Sequence, residues 1–559
     1  MTPWLGASHR DRARRLMGSR GAATGLSLLA GALAAVAHPP FGFLPGLLGY
    51  ALLIGVVDAA RSYRSAFWRG WLAAFAYFLI GCWWVAEAFM VDARGQGWMA
   101  PIAVMLLPAG LGLFWGVAMA LYRWLRPGWP WRALAFAGSL SLLEWLRGHL
   151  LTGFPWNLPG ETWRAGSPVS QTASLVGAYG LTWLTLAIAA SFAAPLAPGR
   201  RRRAAVAPAI ALLALTGMWS YGAARVRQAV APPPSSPIVR IVQPDVPQLA
   251  KYDESNFRSI FNSYINLTAA PAAQRPQIIV WSEGAIPDAA NDYLAPGTWT
   301  AAAIVRALGP GRTLLVGAYR AEGDPVHPIY FNSLIAVRAG AAALQVTGVY
   351  DKHRLVPFGE YLPAEQILQP LGFKDLTHIG DSFTAGPPPA PMAPAGVPEV
   401  QPLICYESLF PDLVRDAVRR ARVRPSWIVN VSNDAWFGVT SGPTQHLNQA
   451  SYRAIEEGMP IVRVTPNGVS AVIDSFGRIV PGSKLELRTR GVVDAKLPSP
   501  LNITTYGSLG DAPLAIFLIV SLLGSCRVML SRFERVSVTV RHRYLFELTD
   551  LGGAESITR

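Results

Sequence analysis

The chain is 559 residues long, 51% hydrophobic and only 15% charged, against about 25% charged in ordinary soluble domains. A single compact soluble domain is thereby excluded, and much of the chain belongs in lipid. A net charge of +15 would suit nucleic acid, but the arginines flank apolar segments as orientation signals do, and no zinc-finger spacing or basic recognition helix accompanies them, which argues against that partner.

Seven apolar segments precede residue 225, at 22–37, 42–60, 66–91, 99–122, 131–147, 175–197 and 204–222, and an eighth lies at 511–530. Most approach the roughly 20 residues needed to cross the hydrocarbon core. Arg12, Arg14 and Arg15 before a run ending Ala35-Val36-Ala37 have signal-peptide features, yet the spans that follow favour an uncleaved helix. Basic residues alternate sides consistently: Arg10, Arg12, Arg14, Arg15 and Arg20 precede span one, and Arg61, Arg64 and Arg69 follow span two. Arg123, Arg126 and Arg132 follow span four, Arg200 to Arg203 follow span six, and Arg527, Arg532, Arg535, Arg541 and Arg543 follow span eight. These groups share one side, the cytoplasm, while the intervening short loops hold few basic residues (Arg94, Arg147, Arg164). The large region after span seven therefore lies outside the cytoplasm. The expected organisation is a transmembrane domain over 1–225, an α/β domain over 226–505, and a C-terminal helix with a cytoplasmic tail over 506–559.

Within the α/β region, 238–242, 277–281, 313–318 and 426–431 read as strands, and 299–308, 411–424 and 445–458 as helices. Asn467-Gly468 and Phe476-Gly477 mark hairpin turns, and the Pro-rich 386–398 is expected as a surface loop. Three segments place a reactive side chain just after a strand-like run, where α/β folds hold their sites: Glu283 in QIIVWSEGAIP, Lys352 in GVYDKHRLVPFGEYLP and Cys405 in VQPLICYESLFPDL. Of the cysteines, Cys82 and Cys526 fall in apolar runs, and no CxxC pair or disulfide framework is present. Cys405 alone would more often be a buried small hydrophobe. Beside a helix N-terminus and a lysine ammonium, its thiolate is expected to be stabilised. A carboxylate could take the thiol proton and the ammonium could hold an oxyanion, which together make an acyl-transfer set.

WSEGAIP, DKHRLVPFGEYLP and CYESLFPDL, in that order, resemble the Glu–Lys–Cys arrangement of the nitrilase superfamily. Joined to seven preceding spans and one following, and with NVSNDAWFG, GPTQHLNQASYRAIEEG, RVTPNGVSAVID and GFPWNLPG, the chain resembles the apolipoprotein N-acyltransferases over nearly its whole length. The resemblance implies a stacked αββα domain facing the periplasm of a bacterial inner membrane, mounted on an eight-helix transmembrane base. It implies Cys405 as nucleophile, Glu283 as general base and Lys352 as oxyanion stabiliser, with Glu360 as a supporting carboxylate. Tyr406, Glu407, Asn433 and Trp436 are carried over as residues of the site. Where the family tends to place tryptophan in PQ-x-x-K-W, PQLAKYD has Tyr252, which keeps an aromatic platform without an indole N–H. The implied donor is a membrane phospholipid and the implied acceptor a diacylated apolipoprotein, handled by a monomer without a cofactor.

His353 and His446 lack HExxH spacing and read as solvated or packing residues. The apolar arm 355–398 reads either as a packed loop or as a membrane-dipping lid over Cys405. Two other readings remain open from the residues alone: a membrane-anchored amidase using the same three groups, and a non-catalytic receptor or transporter, for which Glu87 and Glu144 would be the intramembrane charges.

Overall fold

A computed structural model of the chain describes residues 17–196, 201–324, 326–364, 366 and 382–525, apart from the side chains of 196, 201–204 and 252. The segment 367–381, central to the expected lid, and the tail beyond 525 lie outside the described residues, as does the side chain of Tyr252.

The N-terminal part is helical: α1 (Arg20–Val36), α2 (Leu48–Asp58), α3 (Tyr63–Cys82), α4 (Ala100–Leu125), α5 (Trp131–His149), α6 (Ala173–Ser191) and α7 (Arg201–Val226). Helices thus occupy all seven apolar segments. Three stretches, Gly97–Leu125, Val169–Ser191 and Ala205–Val226, are long and apolar enough to cross a membrane. Small residues bring these helices together: a Cβ on Gly31 would stand 1.8 Å from the Ala73 carbonyl oxygen, so α1 and α3 meet at backbone contact. Arg147, expected in a loop, lies inside α5 and pairs with Glu144 one turn earlier, fully buried. Its guanidinium also donates to the carbonyls of Phe154 and Trp156. Glu144 is therefore a paired structural charge, held further by Trp115 Nε1 at 2.6 Å.

The rest of the chain forms two facing sheets. One has six strands in the order β11-β1-β2-β3-β4-β5 and the other five in the order β10-β9-β8-β7-β6. In chain order, β1 is Ile238–Gln243, β2 Ile278–Trp281, β3 Thr313–Asp324, β4 His327–Ala339, β5 Leu344–Asp351 and β6 Val400–Ile404. Then follow β7 (Trp427–Val431), β8 (Ile461–Val464), β9 (Ser470–Ile473), β10 (Ile479–Leu485) and β11 (Gly491–Lys496). Strands buried on both faces read as continuous β-branched runs, as parallel pairs do: IIVW in β2 pairs in parallel with β1 and β3, and WIVNV in β7 with β6 and β8. Val239, Ile241, Val280 and Leu315 of the first sheet meet Val400, Ile404, Val429 and Val462 of the second. The expected strand at 313–318 continues as a long ribbon, β3–β4, whose exposed end lacks the apolar run that marks its start.

The outer face of the six-stranded sheet is covered by α8 (Phe257–Thr268) and α9 (Trp299–Leu308), through Phe261, Tyr264 and Ile304. The outer face of the other sheet carries α10 (Pro411–Arg420) and α11 (Gly442–Glu457). That second helix layer rests on the helical base, to which α12 (Ala512–Ser525) also returns: Trp183 of α6 donates to Ser521 at 3.0 Å. Helix α11 is buried along almost its whole length even though half its residues are polar. Several of its polar groups bond to the base: Gln445 accepts from Trp156 Nε1 at 2.9 Å, Asn448 donates to the Glu161 carbonyl at 2.9 Å, and Glu456 accepts from Ala178 N at 2.7 Å. Buried polar groups satisfied in this way fix orientation as well as contact. The Pro-rich 386–398 departs from a plain surface loop, because Met392 and Val397 insert into the core between the sheets.

Candidate active site

Glu283 lies two residues beyond β2, Lys352 directly after β5, and Cys405 directly after β6. The three come from strand ends on both sheets, and the sandwich brings them to one place. Lys352 is 1% exposed and donates to Glu283 Oε1 at 3.2 Å and to Glu360 Oε1 at 2.9 Å. Asn332, in β4, donates through one amide nitrogen to both carboxylates, each at 2.7 Å. Glu360 also accepts from Val356 N at 2.8 Å. Glu283 Oε2, by contrast, is buried and takes no hydrogen bond among the described residues. Burial alone would lower the Lys352 pKa, but the two glutamates outweigh it and hold the ammonium well above the ordinary lysine range.

Cys405 has φ 49°, a left-handed conformation uncommon for a residue with a Cβ. The strand turns sharply there into a one-turn helix, Cys405–Leu409, and α10 begins only at Pro411. Glu407, fully buried, secures this bend: it accepts from Ile404 N at 2.8 Å on one oxygen, and from His353 N at 2.8 Å, Tyr350 OH at 3.0 Å and Arg354 N at 3.2 Å on the other. The bend at Cys405 and the residues following Lys352 are thus tied to one carboxylate. Burial raises the Glu407 pKa, opposed by those N–H donors. Tyr406 donates to the Gly153 carbonyl, which anchors the bend to the 153–160 loop of the helical base.

The expected thiolate is not what the site stabilises at rest. Burial first, then the Glu283 charge, push the Cys405 thiol up to about 12, against the opposing pull of Lys352 and of the neighbouring Ser432. The bend opens only one short turn, so no long helix dipole offsets the burial. Iodoacetamide labelling of Cys405 is therefore expected to stay slow near pH 9, where an ordinary thiol of pKa about 8.5 is mostly ionised, and to accelerate only toward about 12. Rapid labelling at neutral pH, measured against Cys405→Ala for background, would contradict a neutral resting thiol.

Several neighbours carry no signal in the motifs that singled out the first three. Ser432 donates to Asp434 Oδ1 at 2.8 Å, and Arg463 Nη2 holds Asp434 Oδ2 at 2.8 Å. His446 is buried, bonds Asp434 Oδ1 through Nδ1 at 3.0 Å, and reaches the Cys405 carbonyl through Nε2 at 3.2 Å. Burial would raise the Asp434 pKa, yet Arg463 and His446 bring it down to about 2. Burial and then Arg463 lower that of His446, against the opposing pull of Asp434. His446 is thus a buried bonded residue beside Cys405, while His353 is half-buried and bonds the Gly386 carbonyl. Lys251, in PQLAKYD, donates to the Gly284 carbonyl at 2.8 Å, and burial, partly offset by Glu283, brings its pKa down to about 8. Asn433 is buried and donates to Gln248 Oε1 at 2.8 Å; Trp436 is half-buried in the turn Asp434–Phe437. Among the described residues no group of three or more His, Cys, Asp or Glu is placed to hold a metal ion.

Gly317 in β3 backs the Glu283 turn, where a Cβ would stand 2.6 Å from Glu283 Cα. Gly317→Ala is expected to displace Glu283 and cost about 10²-fold in the rate of a reaction at Cys405 that uses this carboxylate, with a smaller change in thermal unfolding. An unchanged rate would show that the Glu283 position is not critical. Taken together, the site offers a neutral thiol, a carboxylate oxygen with free lone pairs and an ammonium group whose charges reach the thiol.

Family models match two parts of the chain: residues 30–191 fit the apolipoprotein N-acyltransferase N-terminal domain, and 238–502 fit carbon–nitrogen hydrolase. A curated apolipoprotein N-acyltransferase of Caulobacter vibrioides is 55% identical over 515 residues, 91% of this chain and 95% of its own. One from Rhodopseudomonas palustris is 38% identical over 515 residues, 89% of this chain and 94% of its own. Among solved structures, a mutant of the Nesterenkonia AN1 amidase from the nitrilase superfamily is 17% identical, with a TM-score of 0.35, covering 51% of this chain and 98% of its own.

Proposed function

The chain belongs to the apolipoprotein N-acyltransferase family, and from that premise we propose that Cys405 carries a phospholipid-derived acyl chain to the N-terminal amine of S-diacylglyceryl-cysteine apolipoprotein. It is a membrane enzyme of lipoprotein maturation, an N-acyltransferase with a carbon–nitrogen hydrolase domain. The observation that carries the catalytic assignment is the unpartnered Glu283 Oε2 in a site where the thiol is neutral and Lys352 is charged.

In the first half-reaction Glu283 Oε2 accepts the Cys405 proton as Sγ attacks an ester carbonyl carbon of the phospholipid. Lys352 holds the negative charge on the carbonyl oxygen. The ester C–O bond breaks, the lysophospholipid oxygen takes the proton back from Glu283, and a thioester remains. In the second, the acceptor's α-amine attacks that carbonyl, Glu283 takes a proton from the amine, and the C–S bond breaks to give the amide and a reprotonated Cys405. Glu360 and Asn332 position Lys352 and Glu283, and Glu407 and Tyr406 hold the bend. Asn433, Trp436 and Tyr252 belong to the substrate-binding surround.

The eight helices α1 to α7 and α12 serve as membrane spans of the bacterial inner membrane. The units are 1–225, 226–505 and 506–559, acting as a monomer with the catalytic domain in the periplasm. Arginine placement supports this reading: Arg61, Arg123, Arg126 and Arg132 cluster at the end of the base away from α11 and Cys405.

The test incubates purified full-length protein in detergent with acyl-labelled phospholipid and reads a hydroxylamine-labile label. Wild type should acquire the label, Cys405→Ala should not, and a diacylated lipopeptide should discharge it. A label retained by the variant would sink the thioester. Discharge by water alone would favour the amidase reading that the carbon–nitrogen hydrolase match permits.

A further inference from the structure

At the end of the helical base remote from Cys405, the loop between α2 and α3 faces the loop between α4 and α5. Between them is a concavity of about 480 Å³ lined by Arg61, Ser62, Tyr63, Arg123, Trp124, Arg126 and Arg132. We propose that this concavity is a binding site for the phosphate of an anionic phospholipid in the leaflet opposite the catalytic domain.

Charge is the first argument. The lining carries four guanidiniums and no carboxylate. Beneath it Asp58 takes Arg132 Nη1 at 2.7 Å, Arg126 Nε at 3.3 Å and Tyr122 OH at 3.0 Å. Those bonds fix two arginines without using all their donors, since a guanidinium has five N–H groups. Among the described residues neither Arg61 nor Arg123 has an acidic partner. One carboxylate against four cations leaves a surplus that a phosphate would match, with the planar guanidinium suited to two-point contact.

A second argument is the backbone. Ser62 caps α3, a 20-residue helix, and its side chain accepts from Ser65 N at 3.1 Å. Ser62 and Tyr63, at the start of this helix, line the concavity, so the positive end of its dipole lies at the wall. Location is the third. Tyr63 is 58% and Trp124 53% exposed at the rim, the amphipathic pair expected at a bilayer boundary. The 26-residue α4, at about 1.5 Å per residue, separates this rim from the Cys405 end by about 39 Å. Orientation by positive charge requires only basic residues near span ends. It does not require them to converge, preorganised, on one hollow. A basic hollow between helices at a membrane boundary is a headgroup site by its chemistry.

The experiment uses native mass spectrometry of the full-length protein in detergent, titrated with phosphatidylglycerol, with phosphatidylcholine and with inorganic phosphate. Wild type should retain phosphatidylglycerol over phosphatidylcholine. Arg61→Gln combined with Arg123→Gln, which spares the Asp58 pair, should weaken retention about 25-fold, at roughly fivefold per arginine near an anionic surface. Arg123→Lys should keep most of it. Thermal unfolding and the hydroxylamine-labile label should be unchanged in both variants. Equal retention of the two lipids, or undiminished retention in the double variant, would overturn the proposal. So would displacement of the lipid by inorganic phosphate alone, which would make this a site for the free anion.

Discussion

Glu283→Gln is expected to slow acyl-enzyme formation by about 10²–10⁴-fold at neutral pH, the usual worth of a positioned base. With the thiol held up to about 12, only on the order of one Cys405 in 10⁵ is ionised at pH 7. A resting thiolate is therefore scarce, and in the proposed mechanism the proton leaves as sulfur attacks. Glu283 Oε2 is the unpartnered buried oxygen available for it, and the isosteric amide removes that acceptor while Oε1 can still receive Asn332 and Lys352. A second signature separates lost base catalysis from lost folding. In the variant, thiolate must come from solvent, so the single-turnover rate should climb about tenfold per pH unit below the thiol pKa. Losing the Glu283 charge also brings that pKa down from about 12, since this charge is one of the forces raising it. The deficit should therefore shrink in alkali. A variant rate flat in pH, or a wild-type rate at pH 7, would remove Glu283 from the proton path.

Much of this site could be read before any coordinates. Glu283, Lys352 and Cys405 each follow a strand-like run, and strand ends on two facing sheets converge by the geometry of the fold. The helices of the base were legible for a simpler reason, since apolar length is a one-dimensional property. What stayed hidden depends on side chains meeting across long separations. Asn332 looks like any polar residue in a strand until β4 sets it against Glu283 and Glu360. The Ser432–Asp434–Arg463–His446 network joins a turn, a helix and a strand, and no spacing rule links them. Helix α11 is legible as a helix, but nothing in its polar sequence tells that several of its side chains bind the loops and helices of the base. The thiol is held neutral where the sequence suggests a stabilised thiolate. Lysine and a helix start were visible in the sequence, whereas burial and the Glu283 charge, which outweigh them, are properties of the assembled site.

Lys352→Met should be the more damaging change for stability. The ammonium sits 2.9 Å from Glu360 and 3.2 Å from Glu283, and removing it leaves two carboxylates buried together with only Asn332 between them. Breaking a buried ion pair from one side costs about 3–5 kcal/mol, so thermal unfolding of the full-length protein should move down clearly. The two carboxylates then face each other without the cation that paired them. The proposed catalysis loses its oxyanion partner, worth about 10²–10³-fold. The direction with pH follows from the charges. In the wild type the raised Lys352 pKa gives stability that is whole below its unfolded pKa of about 10.4 and is lost only as pH rises through the higher folded value. In the methionine variant the penalty comes from unpaired carboxylates, so it should shrink as acid protonates them and be largest near neutrality. Unfolding curves of both proteins between about pH 4 and 9 should therefore converge at the acid end. A constant gap, or one that widens in acid, would mean that Lys352 stabilises the fold by packing rather than by its charge.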